Sequence, residues 1–207
     1  MTKIKICGLH SLKDVAIVNE AMPDYVGFVF ATSKRQVSRE LASAMRKALQ
    51  PEIPVVGVFV KEHIEKITVL CKEQVIDYVQ LHGEEPLEYI LELKKQIEKP
   101  IIYVKRLGTE REEGTELDLD DYPVEYVLFD TYTKDAYGGS GKLINYDNIP
   151  KMKLPVFIAG GLNARNVSQV IEDLHPFCVD VSSGVETDGH KDADKIREFI
   201  DMVRKQD

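Results

Sequence analysis

Two reactive groups in this chain close short apolar runs. Cys7 follows Ile4-Lys5-Ile6, and Asp130 follows Tyr126-Val127-Leu128-Phe129. Strand alternation, with Ile4 and Ile6 on one side, turns Lys5 and Cys7 to the other. The same parity pairs Leu128 with Asp130, and Gln80 with His82. A thiol and a carboxylate at the tips of two strands then point into one cavity, where both can exchange protons with a bound molecule. The residues alone also allow plainer roles: Cys7 as a small hydrophobe, Asp130 as a loop anchor or helix cap, and His82, ahead of Gly83, as a cavity wall. Eight residues beyond Asp130 comes Gly138-Gly139-Ser140-Gly141-Lys142, whose Gly139 and Gly141 suit a flexible cover. It lacks the G-x-x-x-x-G-K-[ST] spacing of a nucleotide phosphate loop. Gly160-Gly161 and Ser182-Ser183-Gly184 each follow an apolar run, and glycine lets backbone amides approach an anion closely. Ser33-Lys34-Arg35 follows another such run. Arg35 there is either solvated surface or a planar clamp for a carboxylate.

The elements that must position these groups recur regularly. Apolar, β-branched runs begin near Lys3, Tyr25, Val55, Asp77, Pro100, Tyr126, Pro155 and Cys178, at intervals of 22 to 30 residues. Each interval holds a strand, a helix and two short loops, so eight recurrences predict a (βα)8 TIM barrel, a single domain over residues 1–207. Between the strands, Leu41, Ala44, Met45, Ala48 and Leu49 fall at helical spacing after Ser38, and Ile64, Ile67 and Cys71 share another helix face. A last helix over 192–204 buries Ile196, Phe199, Ile200 and Val203 and closes the barrel. Residues 108–121 are acidic and aliphatic-poor, so an irregular acidic segment is expected in place of a regular fifth helix. In such a barrel the strand tips and following loops form the active face, and the loops after the seventh and eighth strands hold phosphate. That assigns Gly160, Gly161, Ser183 and Gly184 to an anion and puts Asp180 in the cavity wall.

Composition narrows the partners. With 35 acidic against 27 basic residues and a net charge of −8, nucleic acid is disfavoured, and an anionic substrate must be met by local donors. Three cysteines fit a reducing cytoplasm better than a disulfide framework. No apolar run reaches the roughly 18 residues of a membrane span, and the strand starting at Lys3 leaves no room for a signal peptide. Oligomeric state stays open between monomer and homodimer.

Taken in order, Lys5-Ile6-Cys7-Gly8-Leu9, Gly27-Phe28-Val29-Phe30, Ser33-Lys34-Arg35, Val79-Gln80-Leu81-His82-Gly83, Phe129-Asp130-Thr131, Ala159-Gly160-Gly161-Leu162-Asn163 and Asp180-Val181-Ser182-Ser183-Gly184-Val185-Glu186 resemble the phosphoribosylanthranilate isomerases of tryptophan biosynthesis. The resemblance spans nearly the whole chain. It implies an aldose–ketose isomerase that carries out an Amadori rearrangement of N-(5-phosphoribosyl)anthranilate without cofactor or metal. It also implies roles: Asp130 as general acid, Cys7 as general base, Arg35 on the anthranilate carboxylate, and Gly160, Gly161, Ser183 and Gly184 on the phosphate. A histidine-pathway isomerase of similar chemistry resembles a two-aspartate site, against which Cys7 argues. A non-catalytic sugar-phosphate sensor would have no use for both Cys7 and Asp130. One difficulty follows from these roles: a carboxylic acid of pKa about 3.9 ionises before a thiol of about 8.5, which puts neutral Asp130 beside a Cys7 thiolate uphill by roughly 6 kcal/mol. Burial of the acid and a cation such as Lys5 beside the thiol would narrow that gap. Lys5 itself invites an ion pair with inward-facing Asp180.

Overall fold

A computed structural model describes residues 1–107, 119, 122–130, 149–150 and 152–206. The chain runs β1 (Lys3–Cys7), α1 (Leu12–Ala21), β2 (Tyr25–Val29), α2 (Arg39–Ala48), β3 (Val55–Phe59), α3 (Ile64–Lys72), β4 (Tyr78–Leu81), α4 (Leu87–Lys94) and β5 (Ile101–Arg106). It continues through β6 (Tyr126–Asp130), β7 (Val156–Ala159), α5 (Val167–Leu174), β8 (Cys178–Val181), a 3₁₀ turn (Ser183–Val185), a hairpin of β9 (Glu186–Thr187) and β10 (His190–Lys191), and α6 (Ala193–Arg204). Strands β1 to β8 form a closed parallel barrel, sealed by β8 beside β1 with Lys5 opposite Asp180. The expected acidic segment over 108–121 lies outside the described residues, apart from buried Leu119. The same holds for the glycine loop with Gly139 and Gly141.

The alternation read from the sequence sorts the core into two shells. Ile4, Ile6, Val26, Phe28, Val79, Leu81, Val127 and Phe129 face outward and pack with the helices. Tyr25, Val56, Ile102, Val104, Leu128, Phe157 and Cys178 fill the barrel itself. Burial of each large apolar side chain stabilises the fold by about 1.5–3 kcal/mol. At the N-terminal end of the barrel, Tyr25, Tyr78, Tyr126, Phe157 and Phe177 stack edge to face or tilted at 5.3 to 6.0 Å and plug the floor.

Local signals set the helix ends. Ser38 caps α2 by accepting from the Leu41 N–H, and Asp192 caps α6 through the N–H groups of Asp194 and Lys195. Asp14, in the first turn of α1, accepts from the His10 N–H and fixes the loop that leaves β1. Arg204, at the end of α6, donates to the Thr2 carbonyl and to Asp24 at 2.7 Å. That ties the last helix to the floor beside β1.

Candidate active site

The mouth of the barrel is built on an ion pair. Lys5 Nζ lies 2.8 Å from Asp180 Oδ2, with the lysine side chain 0% and the aspartate 7% exposed. Burial alone would push the Lys5 ammonium down, but Asp180 and the neighbouring Cys7 carry it above the ordinary lysine range. Cys7 stands one inward position further along β1. Its thiol is pushed up by burial, while Lys5 and Lys191 pull against that rise. Space for the sulfur comes from β2, because a Cβ at Gly27 would sit 2.6 Å from Cys7 Sγ.

Across the mouth, Asp130 ends β6 opposite Ala159 and Arg106. Its Oδ2 is 3.2 Å from Nε2 of His82, whose Nδ1 is 3.3 Å from Gln80 Nε2. His82, expected as a wall residue, is therefore in contact with Asp130. Gln80 is fully buried one layer below, and Arg106 reaches over the His82 carbonyl at 3.5 Å.

Arg35 arches over Gly8, where a Cβ would meet Arg35 Cδ at 2.5 Å. Gly8 itself has φ +81°, a conformation open to glycine at little cost. Two of the five guanidinium N–H groups form a fork on Glu186, Nε to Oε1 at 2.7 Å and Nη2 to Oε2 at 2.6 Å. Glu186 also accepts from Lys191 Nζ at 2.7 Å, and Lys191 donates to the Ser182 carbonyl at 3.0 Å. Burial would raise the Glu186 carboxyl, but Arg35 and Lys191 together hold it below the usual range. The arginine that the sequence offers as a clamp thus already grips an internal carboxylate.

The loops after β7 and β8 lie against each other. Gly160 and Gly161 have φ of 98° and 64°, and the Gly161 carbonyl is held by the side-chain amides of Asn163 and Asn166. A Cβ at Gly184 would fall 1.9 Å from the Leu162 carbonyl oxygen. Gly184 is therefore needed first for the contact between the loops, whereas a Cβ at Gly161 would meet nothing within 4 Å.

A family model described as N-(5'phosphoribosyl)anthranilate (PRA) isomerase matches residues 4–202. The chain belongs to the phosphoribosylanthranilate isomerase family. It is 45% identical over 204 residues to the N-(5'-phosphoribosyl)anthranilate isomerase of Endomicrobium trichonymphae, covering 99% of each chain. The crystal structure of the phosphoribosyl anthranilate isomerase of Thermotoga maritima superposes with a TM-score of 0.83 at 37% identity, covering 99% of this chain and all of that one. A crystal structure of a phosphoribosyl anthranilate isomerase in complex with reduced 1-(o-carboxyphenylamino)-1-deoxyribulose 5-phosphate superposes with a TM-score of 0.79 at 36% identity, covering 99% of this chain and all of that one.

Within this phosphoribosylanthranilate isomerase fold, the described residues bring together Cys7, Asp130, His82, Asp180 and Arg35 with the glycine loops at one end of the barrel. Sequence reasoning left Glu186 and Lys191 without roles. Glu186 closes the resembling segment at 180–186 but offers no local sign of a partner. Lys191 sits in Gly189-His190-Lys191-Asp192, which reads as a polar lead into a helix. Among the described residues, no cluster of three or more His, Cys, Asp or Glu side chains could hold a metal ion, and no helix is long and apolar enough to cross a membrane.

Proposed function

We propose that the chain isomerises N-(5-phosphoribosyl)anthranilate to 1-(2-carboxyphenylamino)-1-deoxyribulose 5-phosphate. The observation that carries this reading is the convergence of Cys7 and Asp130 on one mouth from β1 and β6, three strands apart around the ring. Asp130 protonates the furanose ring oxygen as the C1–O bond breaks, and the anilino nitrogen supplies the electron pair that makes the iminium. The iminium acidifies the hydrogen on C2. Cys7 thiolate takes that proton, the electrons pass through C1 to nitrogen, and the resulting enolamine tautomerises to the ketone. No electron leaves the substrate and no external reductant enters.

The remaining groups bind and orient. Anthranilate carboxylate meets the edge of Arg35 that faces away from Glu186, so Glu186 serves to aim the guanidinium. Phosphate is received by backbone amides of Gly160, Gly161, Ser183 and Gly184, where the contact between the two loops keeps the donors in register. The Lys5–Asp180 pair lies beneath the substrate and places a fixed cation beside the thiol. Turnover is followed by loss of substrate fluorescence with freshly prepared phosphoribosylanthranilate. Cys7→Ala and Asp130→Asn are each expected to lose roughly 10²- to 10⁴-fold in rate while still binding a reduced product analogue. Near-normal turnover by either variant would remove that residue from its role.

A further inference from the structure

The β9–β10 hairpin follows the 3₁₀ turn directly and returns toward the barrel through two short strands. Its Lys191 has a side chain with 0% exposure. A buried ammonium is costly unless its surroundings use or balance the charge. Lys191 Nζ reaches the Ser182 carbonyl just past β8, and Ser182 Oγ would be 3.1 Å from a Cβ on Gly8, the residue after Cys7. The ammonium is thus delivered to the seam between β8 and β1, on the side where Cys7 stands.

Around Cys7, β1 and β8 contribute Lys5 and Asp180, the loop after β2 contributes Arg35 and the hairpin contributes Lys191, and Arg35 and Lys191 share the carboxylate of Glu186. Gly27 on β2 adds no side chain. His10 lies beyond Gly8, its Nδ1 3.3 Å from the Gly8 carbonyl and its ring stacked on His190. Lys5 is neutralised by Asp180, and Arg35 is matched by the fork on Glu186. Among the described residues, the cation left over is Lys191, which shares Glu186 with Arg35.

We propose that Lys191 is a positioning residue for the base. Held at the β1–β8 seam by Ser182 and Glu186, it adds a positive charge on the Cys7 side of the pocket and so favours the Cys7 thiolate that removes the C2 proton. The inference rests on the reading of Cys7 as that base. Burial of Cys7, joined by the Asp180 carboxylate, works against the thiolate, and Lys5 and Lys191 are the cations that oppose it. Glu186 takes a matching part: one carboxylate between two cations sets how much positive charge reaches the sulfur.

The test reads the thiol directly, without turnover. Full-length protein is alkylated with iodoacetamide from about pH 6 to 11, where thiolate is the reacting form, and the Cys7 peptide is quantified by mass spectrometry. Burial lowers the Lys191 ammonium below the ordinary lysine range, so its effect is read where it is still charged: Lys191→Met should lower the alkylation rate roughly tenfold at neutral pH and move that limb of the profile up. Lys191→Arg should keep it near the wild-type value, and Glu186→Gln should move it down. A packing defect that merely loosened the mouth would move Lys191→Met and Glu186→Gln the same way, and that result overturns the proposal. An unmoved profile in folded Lys191→Met overturns it as well. If Lys191→Met does not fold, Glu186→Gln decides alone: a lowered profile supports the proposal and an unmoved or raised one refutes it. Failure of Cys7 as the base would appear separately, as normal turnover by Cys7→Ala with the alkylation shifts intact.

Discussion

Replacing Asp180 by asparagine removes one charge from a pair that has almost no access to water. Lys5 has 0% exposure and its Nζ is 2.8 Å from Asp180 Oδ2, so the variant leaves an ammonium buried among the β-strands without its carboxylate. Losing one partner of such a pair costs about 3–5 kcal/mol, whereas exchanging both for apolar groups of similar size is often neutral or better. In a chain of this size each kcal/mol corresponds to roughly 2–4 °C in Tm. Asp180→Asn should therefore melt about 6–20 °C lower, and Lys5→Met/Asp180→Leu should recover most of that difference. Urea unfolding followed by circular dichroism gives the free energies. The pH dependence has a definite sign. Lys5 is raised in the folded state, so its contribution is complete below the unfolded lysine value of about 10.4 and is lost only as pH rises through the higher folded value. The stability of wild type relative to the Lys5→Met/Asp180→Leu variant should hold steady across neutral pH and fall only in strong alkali. Asp180→Asn within about 0.5 kcal/mol of wild type, or a double variant no more stable than the single one, would refute the account of the pair as a buried, mutually dependent unit.

Three further outcomes are expected. Gly27→Ala places a methyl 2.6 Å from Cys7 Sγ, so turnover should drop at least tenfold with a stability loss of about 1–3 kcal/mol; an unchanged rate would show that the thiol has room elsewhere. Gly184→Ala drives a carbon to 1.9 Å from the Leu162 carbonyl and should raise the KM for phosphorylated substrate and lower Tm, whereas Gly161→Ala, in open space at φ +64°, should cost only the roughly 1–2 kcal/mol of left-handed strain; equal thermal shifts would contradict the loop contact. Arg35→Met should cost about 1.5–3 kcal/mol on the natural substrate and little on an aniline analogue lacking the carboxylate, and equal losses on both would assign Arg35 to holding Glu186 instead.

Much of the mouth was legible because parallel barrel strands are apolar on both faces. Against that background Cys7, His82, Asp130 and Asp180 stand out as polar residues at or near strand ends, and the period of two settles which way they point. The Lys5–Asp180 pair followed from parity together with closure of the barrel by its first and last strands. Arg35 and Glu186 lie 151 residues apart and meet only because the loops after β2 and β8 both bend over Gly8. No periodicity encodes that bend. Lys191 was hidden for a related reason: beside glycine, histidine and aspartate a lysine reads as solvated loop, and only the hairpin turns it under the Ser182 carbonyl. As a residue type Gly184 suggests room for an anion, and its use in seating one loop on another depends on a backbone approach that residue type alone does not reveal.

The anchoring of α6 to the barrel floor through Arg204, Thr2 and Asp24 has a practical consequence for engineering. Residues 2 and 204 meet at the Arg204–Thr2 hydrogen bond of 3.3 Å, on the side of the molecule away from Cys7 and Asp130. A short linker could join them with little loop-closure entropy, since that penalty grows only slowly with length. The chain could then be reopened at an exposed loop between a helix and the following strand, giving a permuted enzyme whose strand neighbours are unchanged. A domain fused near either of these residues would hang from the floor, leaving substrate a clear path to the opposite end.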